Sequence, residues 1–180
     1  MNIYPTFTNI RSFTSYKFSM LRMRALRDSF WAKLTGRNAK LAVFPKQEQQ
    51  NNPNRRLLGT KDIPVEQIIG TFNRESDFDH QFRPLSKRLC NRWVNAFIKL
   101  ERDGWPSILV HKIGEHYYVE DGHHRVSVAR SIGMVFIEAE VWEYSVYSKQ
   151  TEICQSKRCT KQSSAKVYAS SGLGSRPVEW

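Results

Sequence analysis

The stretch Glu120–Gly133, EDGHHRVSVARSIG, decides how this chain is read. The residues just before it, Tyr117–Val119, are apolar and suit an extended strand. Gly122 permits a sharp turn without a Cβ clash, and a helix follows from His123 to Ser131, closed by Gly133. At a helix start the backbone N–H groups lack intrahelical acceptors, and the aligned peptide dipoles add partial positive charge. Together these features make an anion site, whose commonest occupant is phosphate. At about 100° per residue, Val126, Val128, Ala129 and Ile132 share an inward arc, while Ser127, Arg130 and Ser131 face outward. Arg125 falls inside the apolar arc, where a guanidinium requires an anionic partner: Asp121, a loop acid or a bound phosphate. His123 and His124 titrate near neutral pH, so they can donate to phosphate oxygens or move a proton. In the plainer alternative, Asp121 pairs with Arg125 and the histidines are satisfied surface groups. So many such residues at one strand-to-helix junction favour a ligand.

The flanking patterns place this junction in a domain. Ile63–Ile69 suits a short edge strand, with Pro64 limiting its pairing. Thr71–Arg83 reads as an acidic loop, and Pro84 stands at a helix N1 position. Leu85, Leu89, Trp93, Phe97 and Leu100 then form an apolar stripe, ended by Gly104 and Pro106. Ile108–Ile113 and His116–Val119, joined through Gly114–Glu115, predict a β-hairpin, and Ile137–Val141 alternates as a half-buried strand. The expected fold is a compact α+β domain over 57–147, with a small mixed sheet and two main helices. Before it, residues 1–56 form a basic extension. Its helix spans about 18–34, with Met23, Leu26, Phe30 and Leu34 on one side, and a polar linker follows at Gln47–Asn54. Such a helix could touch a membrane or a partner, or simply pack on its own domain. Residues 1–19 resemble an organelle transit peptide, with Met20 and Met23 as later starts. Residues 148–180 are expected to be a mobile polar tail.

The net charge of +11 is concentrated at the ends. Residues 1–56 carry eleven Lys/Arg against two Asp/Glu, residues 57–147 eleven against thirteen, and residues 148–180 six against two. Basic ends can hold nucleic acid or anionic lipid without sequence preference, or merely aid solubility; the core has no basic footprint for reading DNA. Three cysteines, an odd count without a secretory signal, fit a reducing, cytoplasmic compartment and argue against zinc. No apolar run is long enough for a transmembrane span.

From Asp62 to Trp142 the run IPVEQI…FRPL…RWVNAFIKL…PSILVHKIGEHYYVEDGHHRVSVARSIG…IEAEV resembles the ParB/sulfiredoxin superfamily, above all bacterial proteins with a ParB N-terminal-like domain. The resemblance implies nucleotide phosphates at the Gly122–Arg125 helix start, with ADP, ATP or CTP as cofactor, and pairing into homodimers. Sulfiredoxins carry a nucleophilic Cys where this chain has His123, so sulfinic-acid reduction by that route is not available. ParB partition proteins carry Glu-Arg-Arg after the Gly and continue into a helix-turn-helix, which the residues after Val146 are too few and too polar to supply. Free-serine kinases resemble the Asp-Gly-His-His-Arg motif best, and their catalytic carboxylate lies in the earlier acidic loop.

That likeness points to Arg74–Arg83, RESDFDHQFR. On an extended loop Asp77 and Asp79 share a side, with Phe78 turned into the core. The pair could hold Mg²⁺ or take a proton from an acceptor hydroxyl, or instead cap the next helix or pair with Arg88 and Arg92. Glu75 is a third candidate, and Arg83 could steady a phosphate or a substrate carboxylate. The expected activity is phosphotransfer to a small hydroxyl acceptor or nucleotide hydrolysis, with Asp77, Asp79 and His123 as catalytic groups. Asp121, Gly122, His123, His124, Arg125 and Arg83 would bind the nucleotide. The alternative is a nucleotide-gated DNA-associated module or nuclease.

Overall fold

Pleated alternation and a helical apolar stripe build the two layers of the domain. The computed structural model describes residues 7–45 and 55–144. Among these residues six strands form one mixed sheet: β1 (Ala42–Val43), β2 (Arg55–Pro64), β3 (Ile68–Thr71), β4 (Ile108–Ile113), β5 (His116–Asp121) and β6 (Phe136–Tyr144). Their spatial order is β1-β3-β5-β4-β6-β2. Pairing is parallel for β1/β3, β3/β5 and β4/β6, and antiparallel for β4/β5 and β2/β6. Three α-helices among the described residues accompany it: α1 (Phe7–Leu34), α2 (Cys90–Asp103) and α3 (His123–Ile132). The α+β class and mixed sheet thus hold, as do the hairpin through Gly114 and the α3 stop at Gly133. There the φ is 75° and the backbone N–H reaches back to the Ala129 and Arg130 carbonyls.

One core joins the layers. Ile108, Val110, Val119, Ile137, Ala139 and Val141 pack from the sheet against Val126 and Val128 of α3 and Trp93 of α2. Burying an aliphatic side chain of this kind stabilises the fold by roughly 1.5–3 kcal/mol. The alternate residues of the hairpin feed a second, aromatic cluster. His111 stacks on Phe72 at 4.5 Å and meets Phe44 and Tyr144 at 5.4 and 5.5 Å. Burial pushes the His111 pKa down despite its 2.6 Å contact with Glu120.

Several boundaries differ from the sequence reading. Ile63–Ile69 is not one strand: Ile63 and Pro64 end the long edge strand β2, Val65–Gln67 form a 3-10 turn, and β3 starts afresh at Ile68. Pro64 is accommodated because β2 has a neighbour, β6, on one side only. Pro84 does not start α2; it bridges Phe78, and the helix begins at Cys90 after a 3-10 turn at Lys87–Leu89 capped by Ser86. On α3, Ser127 is buried, accepting a 2.9 Å hydrogen bond from Trp93 Nε1, whereas Ile132 is exposed. Arg130 folds back over the Phe82 ring and donates to the Val65 and Ile68 carbonyls. The helix is enclosed by sheet, α2 and the loop around Phe82, so a single inward arc does not describe it.

α1 is longer than the pattern suggested, and its packed face is a different one. Thr14, Phe18 and Ala25 are buried, with Phe18 5.8 Å from Trp93. Met23, Leu26, Phe30 and Leu34, the expected packing stripe, are exposed. The helix carries apolar residues at spacings of three and four on both sides. The side with small Thr14 and Ala25 is the one that lets α1 lie close on α2. The expected polar linker at Gln47–Asn54 and the tail at 148–180 lie outside the described residues.

Candidate functional site

Gly122 turns β5 into α3 with a φ of 102°, a left-handed conformation that favours glycine. A Cβ there would also collide with the Ile108 side chain, so two independent constraints fix this residue. The first helical hydrogen bond runs from Val126 N–H to the Gly122 carbonyl at 3.0 Å. The N–H groups of His123, His124 and Arg125 stand ahead of it, and no side chain caps them. The expected open helix start is therefore present.

The two histidines part company. His123 is 3 % exposed and its Nε2 lies 2.7 Å from Thr71 Oγ1. That hydroxyl already accepts the N–H groups of Asn73 and Arg74, at 3.2 and 2.9 Å, which leaves its proton for His123 Nε2. His123 is thus a neutral latch between the end of β3 and the start of α3, stacked near Phe78. Burial first, then the charges of Arg74 and His124, hold its pKa down at about 4. His124 is half-buried and lines a cleft of about 390 Å³ with Arg92, Asn95, Lys99, Trp105 and Arg125. Its Nδ1 is buried without a partner. Burial, then Arg92 and Arg74, push its pKa down to about 4 as well.

Arg125 does not point into solvent. Its Nη1 donates to the Pro106 and Ser107 carbonyls at 2.6 and 2.9 Å, and its Nη2 reaches Asp121 at 2.5 Å. Of the partners the sequence left open, the structure shows Asp121. The pair ties the loop ahead of β4 to the end of β5 and fixes one wall of the cleft.

The loop acids separate in the same way. The 74–83 segment is a set of turns rather than an extended run, with Phe82 at a φ of 57°. Asp77 and Asp79 consequently serve different networks, although Phe78 between them is in the core as expected. Asp79 is 1 % exposed; it accepts the Gln81 and Arg83 N–H groups at 3.0 and 2.8 Å and the Arg83 Nε at 2.7 Å. Arg83 in turn holds Asp28 of α1 at 2.7 Å. It lines a separate cleft with Arg24, Gln81 and Arg130, away from Gly122. Asp77 meets Arg88 at 2.6 Å and Arg74 at 3.3 Å. Burial alone would raise its pKa, but the hydrogen bonds from Arg88 and then Arg74 hold it below the usual carboxylate value.

Arg74, Asp77, Arg88 and Arg92 line a second cleft of about 390 Å³ that shares Arg92 with the first. Three arginines around one carboxylate leave a cationic surplus beside His124. Sequence reasoning missed Arg92, Lys99 and Trp105 as site residues, although 92, 95/96 and 99 share one helix face by spacing alone. Trp105 is held by a 2.7 Å hydrogen bond from its Nε1 to the Ala96 carbonyl. As for Mg²⁺, every oxygen of Asp77 and Asp79 already accepts a protein donor. Among the described residues no group of three His, Cys, Asp or Glu could hold a metal. The two acids therefore do not fit a resident metal site.

Compared with protein-family models, curated proteins and solved structures, the chain gives no significant match. The fold and site define an α+β domain with a glycine-turned helix start opening on a cationic cleft. The likeness to the ParB/sulfiredoxin superfamily rests on the quoted residues alone. No described helix is long and apolar enough to cross a membrane.

Proposed function

We propose that this cleft binds the phosphates of a nucleotide. The observation that carries the reading is His124. Its imidazole has a buried, partnerless Nδ1, and it lines, with Gly122 at the uncapped start of α3, Arg92 and Lys99, one cavity. A phosphate there would accept from the amides, offset Arg92 and favour protonation of His124. Trp105 lines the same cleft, where an aromatic ring suits a base. Arg125 acts as a positioning residue, because Nη1 and Nη2 are held by Asp121 and two carbonyls. The ParB/sulfiredoxin likeness implies the same ligand at the same helix start.

Phosphotransfer to a hydroxyl acceptor is the second reading, favoured by Asp77 lining the adjoining cleft. It requires Asp77 to release Arg88 or Arg74 before it can take a proton. Asp79 and His123 are too fully engaged for that task.

Isothermal titration of the full chain with ADP, ATP, CTP and pyrophosphate tests the proposal. Binding should weaken about tenfold or more in Arg92→Ala. No binding to any of the four, or an unchanged affinity in Arg92→Ala, overturns it. If the second reading holds, Asp77→Asn keeps affinity and loses turnover; turnover equal to wild type removes Asp77 as the base.

A further inference from the structure

α1 carries a second apolar face that the fold does not use. Phe13, Tyr16, Met23, Phe30, Trp31 and Leu34 are each half or more exposed, up to 69 % for Leu34. On a helical wheel they centre roughly opposite Thr14, Phe18 and Ala25, the side packed on α2. The arc runs from residue 13 to 34, a strip roughly 30 Å long. An exposed apolar strip of this extent marks an interaction surface rather than scattered surface residues.

The charges on the helix select the partner. α1 holds six Lys/Arg and one Asp, and that Asp28 is engaged by Arg83 and Arg27. Arg24 and Lys33 have no acidic partner among the described residues and lie beside the apolar strip. A second copy of this chain would bring two cationic helices together, which like-charge repulsion opposes. Nucleic acid would satisfy the cations but would leave Met23, Phe30 and Leu34 without apolar surface to enter. A bilayer surface rich in anionic lipid meets both demands. Aromatic and aliphatic side chains enter the interface while Arg and Lys stay at the headgroups.

We propose that the outer face of α1 docks the domain flat on an anionic membrane surface. This stands on residues separate from the nucleotide cleft and does not depend on it.

The test is co-flotation of the full chain with vesicles of phosphatidylcholine alone, and with phosphatidylglycerol as a third of the lipid. Fluorescence of Trp31 at the strip is followed alongside, with Trp31→Phe as the control that assigns its signal. The chain should float with the mixed vesicles only, with a blue shift that Trp31→Phe abolishes. Raised salt should weaken retention. The exposed double variant Met23→Asp/Phe30→Asp should lose about tenfold or more of the binding while its thermal midpoint stays near wild type. Failure to float with anionic vesicles overturns the proposal, as does equal retention of the double variant. Should sedimentation instead show a dimer that the double variant dissociates, the face belongs to a second copy and the membrane assignment is wrong.

Discussion

Two neighbourhoods around α3 are built from the same two short segments, yet they behave oppositely. In one, His123 is latched to Thr71 and Asp79 is locked by Arg83 and two backbone amides. In the other, His124 has a partnerless nitrogen and Asp77 is outnumbered by arginines. The residues are adjacent or two apart in sequence, so composition cannot distinguish them. What separates them is the surroundings: one set is closed within the protein and holds the fold, and the other lines clefts, with a partnerless His124 nitrogen and a surplus of arginines over the one carboxylate. The lesson is that a motif of polar residues at a helix start divides its labour between architecture and binding.

The sharpest way to break this contrast is on the acids. Asp79→Ala leaves Arg83 with Asp28 as its one acid and two amides without their acceptor at a buried position, and should destabilise the fold by about 3 kcal/mol. Asp77→Ala removes pairs whose arginine partners are substantially exposed, so about 1 kcal/mol or less is expected. Chemical denaturation of both variants decides it; equal losses would erase the distinction.

Acid should act next most strongly. Both histidines have folded pKa values of about 4, below the ordinary unfolded value near 6.5. Between those limits the unfolded chain binds more protons, so stability is full above about pH 6.5 and falls as pH drops toward 4. His123 alone accounts for up to ~3 kcal/mol of that loss. Asp77, with its lowered pKa, extends the decline to lower pH. Calorimetric melting from pH 7 to 4 should show the fall, and His123→Gln should flatten part of it. A melting temperature level across this window contradicts the assignment of His123 as a buried neutral latch.

A smaller effect separates the histidines themselves. Thr71→Val removes the latch and should cost about 1–3 kcal/mol of stability, because His123 and two amides lose their partner. His124→Ala should change stability by less, while weakening nucleotide binding. The opposite ranking would mean that the two roles had been exchanged.

Much of the architecture was legible in the sequence because it is local. The hairpin at Gly114, α3 between Gly122 and Gly133, and the alternation of β6 each carry their period and their stop signal within a dozen residues. The missed pieces are tertiary. β2 is long but sits at the sheet edge, largely exposed, and its RRLLGTKDIP lacks a clean alternation. β1 is two residues that exist only because β3 is beside them. α1 shows two apolar sides, and nothing in its own sequence says which one meets Trp93. The candidate site divides the same way. Gly122 and the amides beyond it follow from the motif, but the cationic cleft draws Arg74, Arg88 and Arg92 from separate elements. The pairing of Arg125 with Asp121 was one of the partners the spacing allowed; that the Pro106 and Ser107 carbonyls hold the same guanidinium required the fold.

The most direct test reads the two histidines side by side in one titration. Imidazole carbon-bound proton and nitrogen resonances of His123 and His124 are followed by NMR as ADP is added near neutral pH. His124 should shift strongly toward its protonated form while His123 barely moves. Movement of His123 without His124, or no movement of either at saturating ADP, would contradict a phosphate cleft at the start of α3.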